Sequence, residues 1–509
     1  MQNKRKWRKS LSLALAVTML GGAAIGCAKK ETAGSDKPAD SAKPSEKKRI
    51  KISSMFPLYG DPAQKTEAWK FIEDKFNIDY EPLAIPNNSS EEKAKLAVAS
   101  GDMADFMLWE SFPSADFSNY VDQGAFLALD EYIKNAPNIM KTPQSIWDNV
   151  KINGKIYGIP RTRTLNTVTV MIRKDWLDNL GLPVPLTTDE LYKAAVAFTK
   201  NDPDKNGKAD TFGFAVGENL AFLDAVWHAF DTGNGWRVME DGTLMSSSIT
   251  AGRKQALTYL RDLYKEGAID KDFAVLKTTQ VWEKINNGNA GIYIGNISDY
   301  PKFVESLGKT NPNAKFEMIK LPVGPTGKSG VSEGIGFYGL QAIPAKLEKD
   351  KEKVKRIIEF IDWQASDEGT LFKQYGVEGV HHTKNADGTL KVNTDKLKAD
   401  AVNNLVSHNK YDPYLLVSTT APADVQKKQR EMFDYDVDKG VKNPAISYLA
   451  PTQREKGADL TKTRDEFFVN VVMGKRPIED FDKFANEWLD KGGRQLTKEL
   501  NDWYKANKK

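Results

Sequence analysis

Residues 49–80 read RIKISSMFPLYGDPAQKTEAWKFIEDKFNIDY, and the period of their apolar side chains changes twice. Arg49-Ile50-Lys51-Ile52-Ser53 alternates polar with apolar, which predicts a strand with one face inward. Ala68, Trp69, Phe71, Ile72 and Phe76 then recur at helical spacing, and residues 78–80 alternate again. A strand, a helix and a second strand open a parallel α/β sheet. Residues 93–100 predict a further helix stopped by Gly101. Residues 105–109, DFMLW, form a short apolar run of the kind a parallel sheet buries on both faces.

Farther along, Thr187-Thr188-Asp189-Glu190 is a capping box, in which hydroxyl and carboxylate each satisfy a free backbone donor. It predicts a helix carrying Leu191, Ala194, Ala195 and Phe198 that stops at Asp202-Pro203. Residues 254–264 predict an amphipathic helix, residues 290–295 a strand, and Ser366 to Gly376 another helix. Two C-terminal helices are separated by Gly492-Gly493. A chain of 509 residues exceeds one ordinary domain, so two large lobes are expected. Its 73 basic and 69 acidic residues give +4, but the first 26 residues hold five of the basic ones and no acid. The remainder is nearly neutral, which argues against nucleic acid or a polyanionic surface as the main partner. With a single cysteine there is no disulfide within the chain, and stability falls to packing or to a metal.

Lys4, Arg5, Lys6, Arg8 and Lys9 precede an apolar stretch over residues 11–20, then small residues, then Cys27. The order is that of a secretory signal, and the apolar stretch is shorter than the roughly 20 residues that span a bilayer. It resembles a bacterial lipoprotein signal, with Ala24 where that family usually has Leu. The resemblance implies that residues 1–26 are removed and that Cys27 becomes a lipidated N-terminus, anchoring the protein to the outer face of the cell membrane. Residues 28–48 contain no aromatic or branched aliphatic side chain, so together with Cys27 they are expected to form a disordered tether. A flexible coil of that length reaches roughly 25 Å.

Residues 96–105, LAVASGDMAD, are similar to the helix-turn-strand near the start of extracellular solute-binding proteins of ABC importers, the group that binds sugars and oligosaccharides. VDQGAFLAL at 121–129, NGKIYGIP at 153–160 and IRKDWLDNLG at 172–181 follow in the order of that family, extracellular solute-binding protein family 1. MGKRPI at 473–478, with the helices carrying Trp488 and Trp503, resembles the LipO/LplA-type lipoproteins. The resemblance covers nearly all of residues 49–509. It implies an α/β, two-lobed periplasmic-binding-protein-like fold of class II type, whose chain crosses three times between lobes around a ligand cleft. Crossings are expected near 160–167, 333–337 and 377–382. They assign 49–163 and 337–380 to the first lobe, and 164–336 and 381–509 to the second. The implied function is capture of an extracellular oligosaccharide by lobe closure, as a monomer, and delivery to ABC permease subunits.

Asp202-Pro203-Asp204-Lys205-Asn206-Gly207-Lys208-Ala209-Asp210 fits the first nine positions of a calcium loop. Calcium takes six to eight oxygens, and alternate residues of a tight loop aim them at one centre. Asp202, Asp204, Asn206 and Asp210 offer side-chain oxygens, Lys208 its carbonyl, and Gly207 permits the sharp turn. Position twelve is Gly213 instead of Glu, and Thr211 follows the ninth position where alginate-binding relatives carry an acid. A plain polar turn is the other reading of the same residues. The expected role of Ca2+ is structural.

Sugar recognition needs flat apolar faces and fixed polar groups, which strand ends and lobe crossings expose. Candidates are Trp109 and Glu110 after the third strand, and Arg161 and Arg163 in the first crossing. Trp227 and Trp236 follow the acidic loop, Asn296 ends a strand, and Tyr338 lies at the second crossing. Glu378 and His381 occupy the third. Each aromatic is equally well read as a core residue, and the arginines as a solvated or ion-paired hinge. His381 and His382 have no third ligand nearby for zinc. The chain carries no nucleophile elbow, zinc-protease motif or phosphate loop. A ligand sensor of the same fold and a secreted glycan-processing enzyme remain as alternatives, the latter needing only two well-placed carboxylates.

Overall fold

The computed structural model describes residues 48–58, 65–86, 89–386 and 389–507. The predicted signal, Cys27 and all of the tether except Lys48 lie outside the described residues. Among the described residues no helix is long and apolar enough to cross a membrane.

The first sheet has the strand order Ile78–Pro86, Ile50–Leu58, Phe106–Trp109, Phe337–Ala342, Ile159–Thr162. Ile50–Leu58 runs parallel to both its neighbours, as the strand-helix-strand opening predicts. Phe337–Ala342 is antiparallel to both of its own, so Ile159–Thr162 points the same way as the first three strands. Helix Glu67–Phe76 buries Ala68, Ile72 and Phe76, the positions its period selects. All four residues of Phe106–Trp109 are buried, and Gly101, at φ 74°, ends helix Ser90–Ser100.

The second sheet runs Phe316–Ile319, Val168–Arg173, Ala290–Asn296, Phe212–Phe214. Val168–Arg173 is antiparallel to both neighbours, whereas Ala290–Asn296 and Phe212–Phe214 are parallel. Helix Thr188–Lys200 starts at the predicted capping box: the Glu190 N–H donates to Thr187 Oγ1 at 3.2 Å and the Thr187 N–H to Glu190 Oε2 at 3.1 Å. Its buried face holds Leu191, Ala194, Ala195 and Phe198. Helices Ala251–Lys265, Pro451–Val472, Phe481–Trp488 and Arg494–Asn507 pack on the same core, where the rings of Phe467 and Phe484 stack at 4.2 Å.

Two separate cores result. One draws on residues 52–159 and 337–406, the other on residues 170–331 and 445–500. The chain leaves the first sheet after Ile159–Thr162, enters the second at Val168–Arg173, and returns between Val331–Ser332 and Phe337–Ala342.

The last crossing differs from expectation. Val402, Leu405, Val406 and Tyr411 pack on the first core, whereas Tyr414, Leu416 and Val417 pack with Ile297 and Phe433 of the second lobe. The chain therefore crosses at 412–413, not at 377–382, and residues 381–411 belong to the first lobe. Residues 377–382 instead turn into a hairpin of His382–Lys384 with Leu390–Val392. His381 is fully buried and fastens it, accepting the Val377 N–H at Nδ1 (3.0 Å) and bonding Asp400 Oδ2 through Nε2 (3.0 Å). The Tyr80 hydroxyl then holds the chain against the first lobe by donating to the Leu405 carbonyl at 3.1 Å.

Candidate ligand site

Phe56, Leu108 and Arg161 lie towards the carboxyl ends of the three strands Ile50–Leu58, Phe106–Trp109 and Ile159–Thr162. The crevice outside those ends is where open α/β sheets hold ligands. With Lys373, Asn403 and Ser407 these three residues line a cavity of about 140 Å³. A larger cavity of about 790 Å³ shares Lys373 and Asn403 and extends past His408 and Tyr411 to Tyr414, at the third crossing.

The smaller cavity is lined by two basic side chains, Arg161 and Lys373, and by no carboxylate among the described residues. Lys373, on helix Asp367–Tyr375, donates to the His408 carbonyl at 3.4 Å and to Asn409 Oδ1. Burial, together with Arg161 and Arg163, pushes Lys373 down to about 7. Burial, together with Lys373 and Arg161, pushes His408 down to about 3, which keeps its ring neutral. The loop carrying His408 is fixed from behind: Gln364 Oε1 accepts the N–H groups of Ser407 (2.9 Å) and His408 (2.8 Å), and Gln341 Nε2 donates to Ser407 Oγ at 2.5 Å. Arg161 Nε, His408 Nδ1, Gln341 Oε1 and Gln364 Nε2 are nevertheless buried without a hydrogen-bond partner among the described residues.

Of the sequence candidates, Arg161 lines the smaller cavity and Arg163 acts on Lys373 through its charge, whereas Tyr338 and Glu110 line neither cavity. Tyr338 is 44% exposed, with the Arg163 guanidinium 5.8 Å from its ring centre. Glu110 accepts from the Ser90 hydroxyl at Oε2, while Oε1 is buried without a partner. The neighbouring strand approaches so closely that a β-carbon on Gly339, at φ 81°, would sit 2.8 Å from the Trp109 carbonyl oxygen.

Trp109 is not available to a sugar: its ring is 1% exposed, packed by Phe117, Tyr120 and Phe126, and its Nε1–H donates to the Ser111 carbonyl at 2.9 Å. The apolar run that predicts the strand carries Trp109 into the core with it. His381 is likewise interior, for the reason given above, and Glu378 is exposed. In the second lobe, Trp227 is half-buried beneath the Arg253 guanidinium, 4.2 Å from its ring centre. Trp236 is half-buried on the hairpin Trp236–Val238 with Leu244–Ser246, and Asn296, at the end of its strand, caps the helical turn Ile297–Asp299 by accepting the Ser298 N–H at 2.9 Å. Lys373, Asn403, Ser407 and His408 are absent from the sequence candidates. The one available signal was composition, since His408 is one of only four histidines.

In the acidic loop the Asn206 and Gly207 N–H groups donate to Asp202 Oδ1 (3.1 Å) and Oδ2 (3.0 Å). Asn206 Nδ2 donates to Asp204 Oδ2 (2.8 Å) and Asp210 Oδ1 (3.2 Å), and its Oδ1 accepts the Lys208 N–H at 2.7 Å. Asp204 Oδ1 is buried without a partner, and burial beside the Asp202 carboxyl holds Asp204 above the usual range. Among the described residues no three acidic, His or Cys side chains stand close enough to enclose a metal as they are.

A Ser-His-Asp cluster sits by the second crossing, but not in hydrolytic order. Ser332 Oγ donates to Asp224 Oδ1 at 2.6 Å and lies 2.9 Å from His228 Nε2. A triad carboxylate orients Nδ1 of its histidine, whereas His228 Nδ1 is buried without a partner. These bonds brace strand Val331–Ser332 against helix Asp224–Ala229.

Residues 59–371 match the family described as bacterial extracellular solute-binding protein. The chain is 32% identical over 511 residues to the polygalacturonan/rhamnogalacturonan-binding protein YtcQ of Bacillus subtilis, covering 99% of each. It is 27% identical over 526 residues to lipoprotein LipO of the same organism, again covering 99% of each. The structure of the ABC-transporter substrate-binding protein FusA of Streptococcus pneumoniae with kestose superposes with a TM-score of 0.62 at 20% identity, covering 90% of this chain and 99% of that one. That last likeness is one of fold.

Proposed function

The chain belongs to the bacterial extracellular solute-binding protein family, and we propose that it captures an extracellular oligosaccharide and delivers it to ABC permease subunits. The observation that carries this reading is the crevice at the carboxyl ends of the first sheet, whose larger cavity of about 790 Å³ runs to a lobe crossing. Closure of two lobes about such crossings would bury a ligand from both sides. The relatives are named as binding proteins, and the Ser332 cluster has no triad geometry, so binding without turnover is the expected activity. Calorimetry of the lipid-free body against a panel of oligosaccharides tests it. Micromolar or tighter binding with the sugar recovered intact is expected, and binding of peptides alone, or cleavage of the sugar, overturns it.

Two further parts belong to this reading. Cys27 carries the lipid anchor, so Cys27→Ser should be released from the membrane, and palmitate label in that variant would refute the anchor. Ca2+ is held by Asp202, Asp204, Asn206 and Asp210 side chains and the Lys208 carbonyl, pinning the acidic loop. The fit is supported by the Asn206 amide nitrogen, which now occupies the point between the Asp204 and Asp210 carboxylates, and by the unpartnered Asp204 Oδ1.

A further inference from the structure

We propose that the cavity lined by Arg161, Lys373, Asn403 and Ser407 is a carboxylate subsite that holds the uronate group of an acidic oligosaccharide. The inference rests on the solute-binding reading and adds the chemical class of the solute. The charges come first. A guanidinium and an ammonium share one small, partly buried cavity, and among the described residues no carboxylate is bonded to either. Like charges withdrawn from water repel one another and lose hydration, and an anion placed between them reverses both penalties. The second observation is geometric. Arg161 Nε is a buried donor with nothing to donate to, and a guanidinium grips a carboxylate through two parallel hydrogen bonds. The third is shape. Phe56 and Leu108 supply an apolar wall suited to the C–H face of a pyranose, and the adjoining cavity of about 790 Å³ leaves room for further sugar units beside Tyr411 and Tyr414.

The subsite has a proton signature. The charged groups acting on Lys373 are Arg161 and Arg163, with neutral His408 beside it. On the rim of the larger cavity Asp367 is already paired with Lys410, and Asp412 follows. With Lys373 at about 7, much of it is neutral at pH 8, and a bound carboxylate favours its charged form. Binding of a uronate at pH 8 therefore draws a proton from the buffer onto Nζ, and binding of a neutral sugar does not.

Isothermal titration of the whole lipid-free protein at pH 8, in buffers of different ionisation enthalpy, tests this. The probes are uronate oligosaccharides and the neutral oligosaccharides made by reducing their carboxyl groups. Wild type is expected to prefer the uronate at least about tenfold, with proton uptake. Arg161→Gln and Lys373→Met should each weaken the uronate far more than the reduced sugar and so remove most of that preference. Lys373→Arg, which keeps the charge, should restore the preference without the proton uptake. A cooperative urea-unfolding transition in each variant controls for folding. Equal losses for both sugars in Arg161→Gln, or tighter binding of the reduced sugar by wild type, overturn the subsite and leave the oligosaccharide reading standing. Acetate or phosphate binding as tightly as the uronate assigns the cavity to a free anion and overturns the sugar. Binding of no sugar at all overturns the oligosaccharide reading, and this inference with it.

Discussion

Two groups of like charge sit in the two lobes, and the chain treats them differently. Asp202, Asp204 and Asp210 converge in an open loop of the second lobe, where the amide nitrogen of Asn206 and two backbone N–H groups already stand among the carboxylates. Arg161, Arg163 and Lys373 converge at the carboxyl ends of the first sheet, and Arg161 and Lys373 meet no carboxylate among the described residues. The acidic group has a stand-in partner in the Asn206 amide and an exposed position at the surface. The basic group is walled by Phe56 and Leu108 and has neither in full. Self-repulsion that is answered within the chain points to stability; self-repulsion left open in a cavity points to a ligand.

The comparison breaks first at the acidic loop. Ca2+ at about 100 times its Kd should stabilise the folded body by about 2.7 kcal/mol, because it binds the native loop and not the unfolded chain. Asp202→Ala combined with Asp204→Ala should abolish the shift in melting temperature, as should chelator. An identical melting curve with and without Ca2+ would make the loop self-sufficient and sharpen the contrast further.

His381 supplies the reference for a buried titratable group whose partner lies within the chain. Its ring joins the Val377 N–H to Asp400, itself bonded to Lys396. His381→Ala should cost about 1–3 kcal/mol in urea unfolding, the penalty of stranding buried polar groups, without changing the ratio of affinities for acidic and neutral sugars. A changed ratio would return His381 to the ligand site.

For the basic group the signature is pH. Between about 7 and the ordinary lysine value near 10.4, the unfolded chain carries a proton on Lys373 that the native state lacks. Native stability of the ligand-free protein therefore rises with pH through that window, and the penalty is greatest below pH 7. The contribution is at most about 1.4 kcal/mol per pH unit. Urea unfolding at pH 7, 8 and 9 should show a steeper rise in wild type than in Lys373→Met. Parallel profiles would mean that Lys373 is solvated and that the basic group is no demand for a ligand.

How much of this was readable beforehand follows the range of the interactions. The opening strand-helix-strand, the Thr187 capping box and the Gly492-Gly493 break are set within a few residues, and all three appear. Arg161 and Arg163 were legible as charges in a crossing. Their companion Lys373 was not, because what brings it to Arg161 is the return of residues 337–411 to the first core across the whole second lobe. The misplaced third crossing has the same origin: nothing local in residues 377–382 distinguishes a lobe exit from a hairpin, and the difference lies in Asp400 and Tyr80, far along the chain in both directions. Trp109 failed as a ligand for the opposite reason, since the apolar run that identifies its strand also buries its ring.

The smallest effect concerns a contact that belongs to neither charged group. Arg454, on helix Pro451–Val472 of the second lobe, donates from Nη1 to Asn119 Oδ1 of the first lobe at 3.2 Å, and from Nε to the Leu449 carbonyl at 3.3 Å. Both side chains of the interlobe bond are exposed, so it is worth about 0.2–1 kcal/mol and weakens in salt. It exists only while the lobes stand this close. Arg454→Ala should therefore loosen this approach of the lobes and weaken every ligand alike, by at most about fivefold. The selectivity of Arg161→Gln and the indifference of Arg454→Ala are then a matched pair, one guanidinium reading the charge of the solute and the other only the distance between lobes. Calorimetry with the uronate and its reduced counterpart separates them, and a loss confined to the uronate in Arg454→Ala would place a second cation on the ligand.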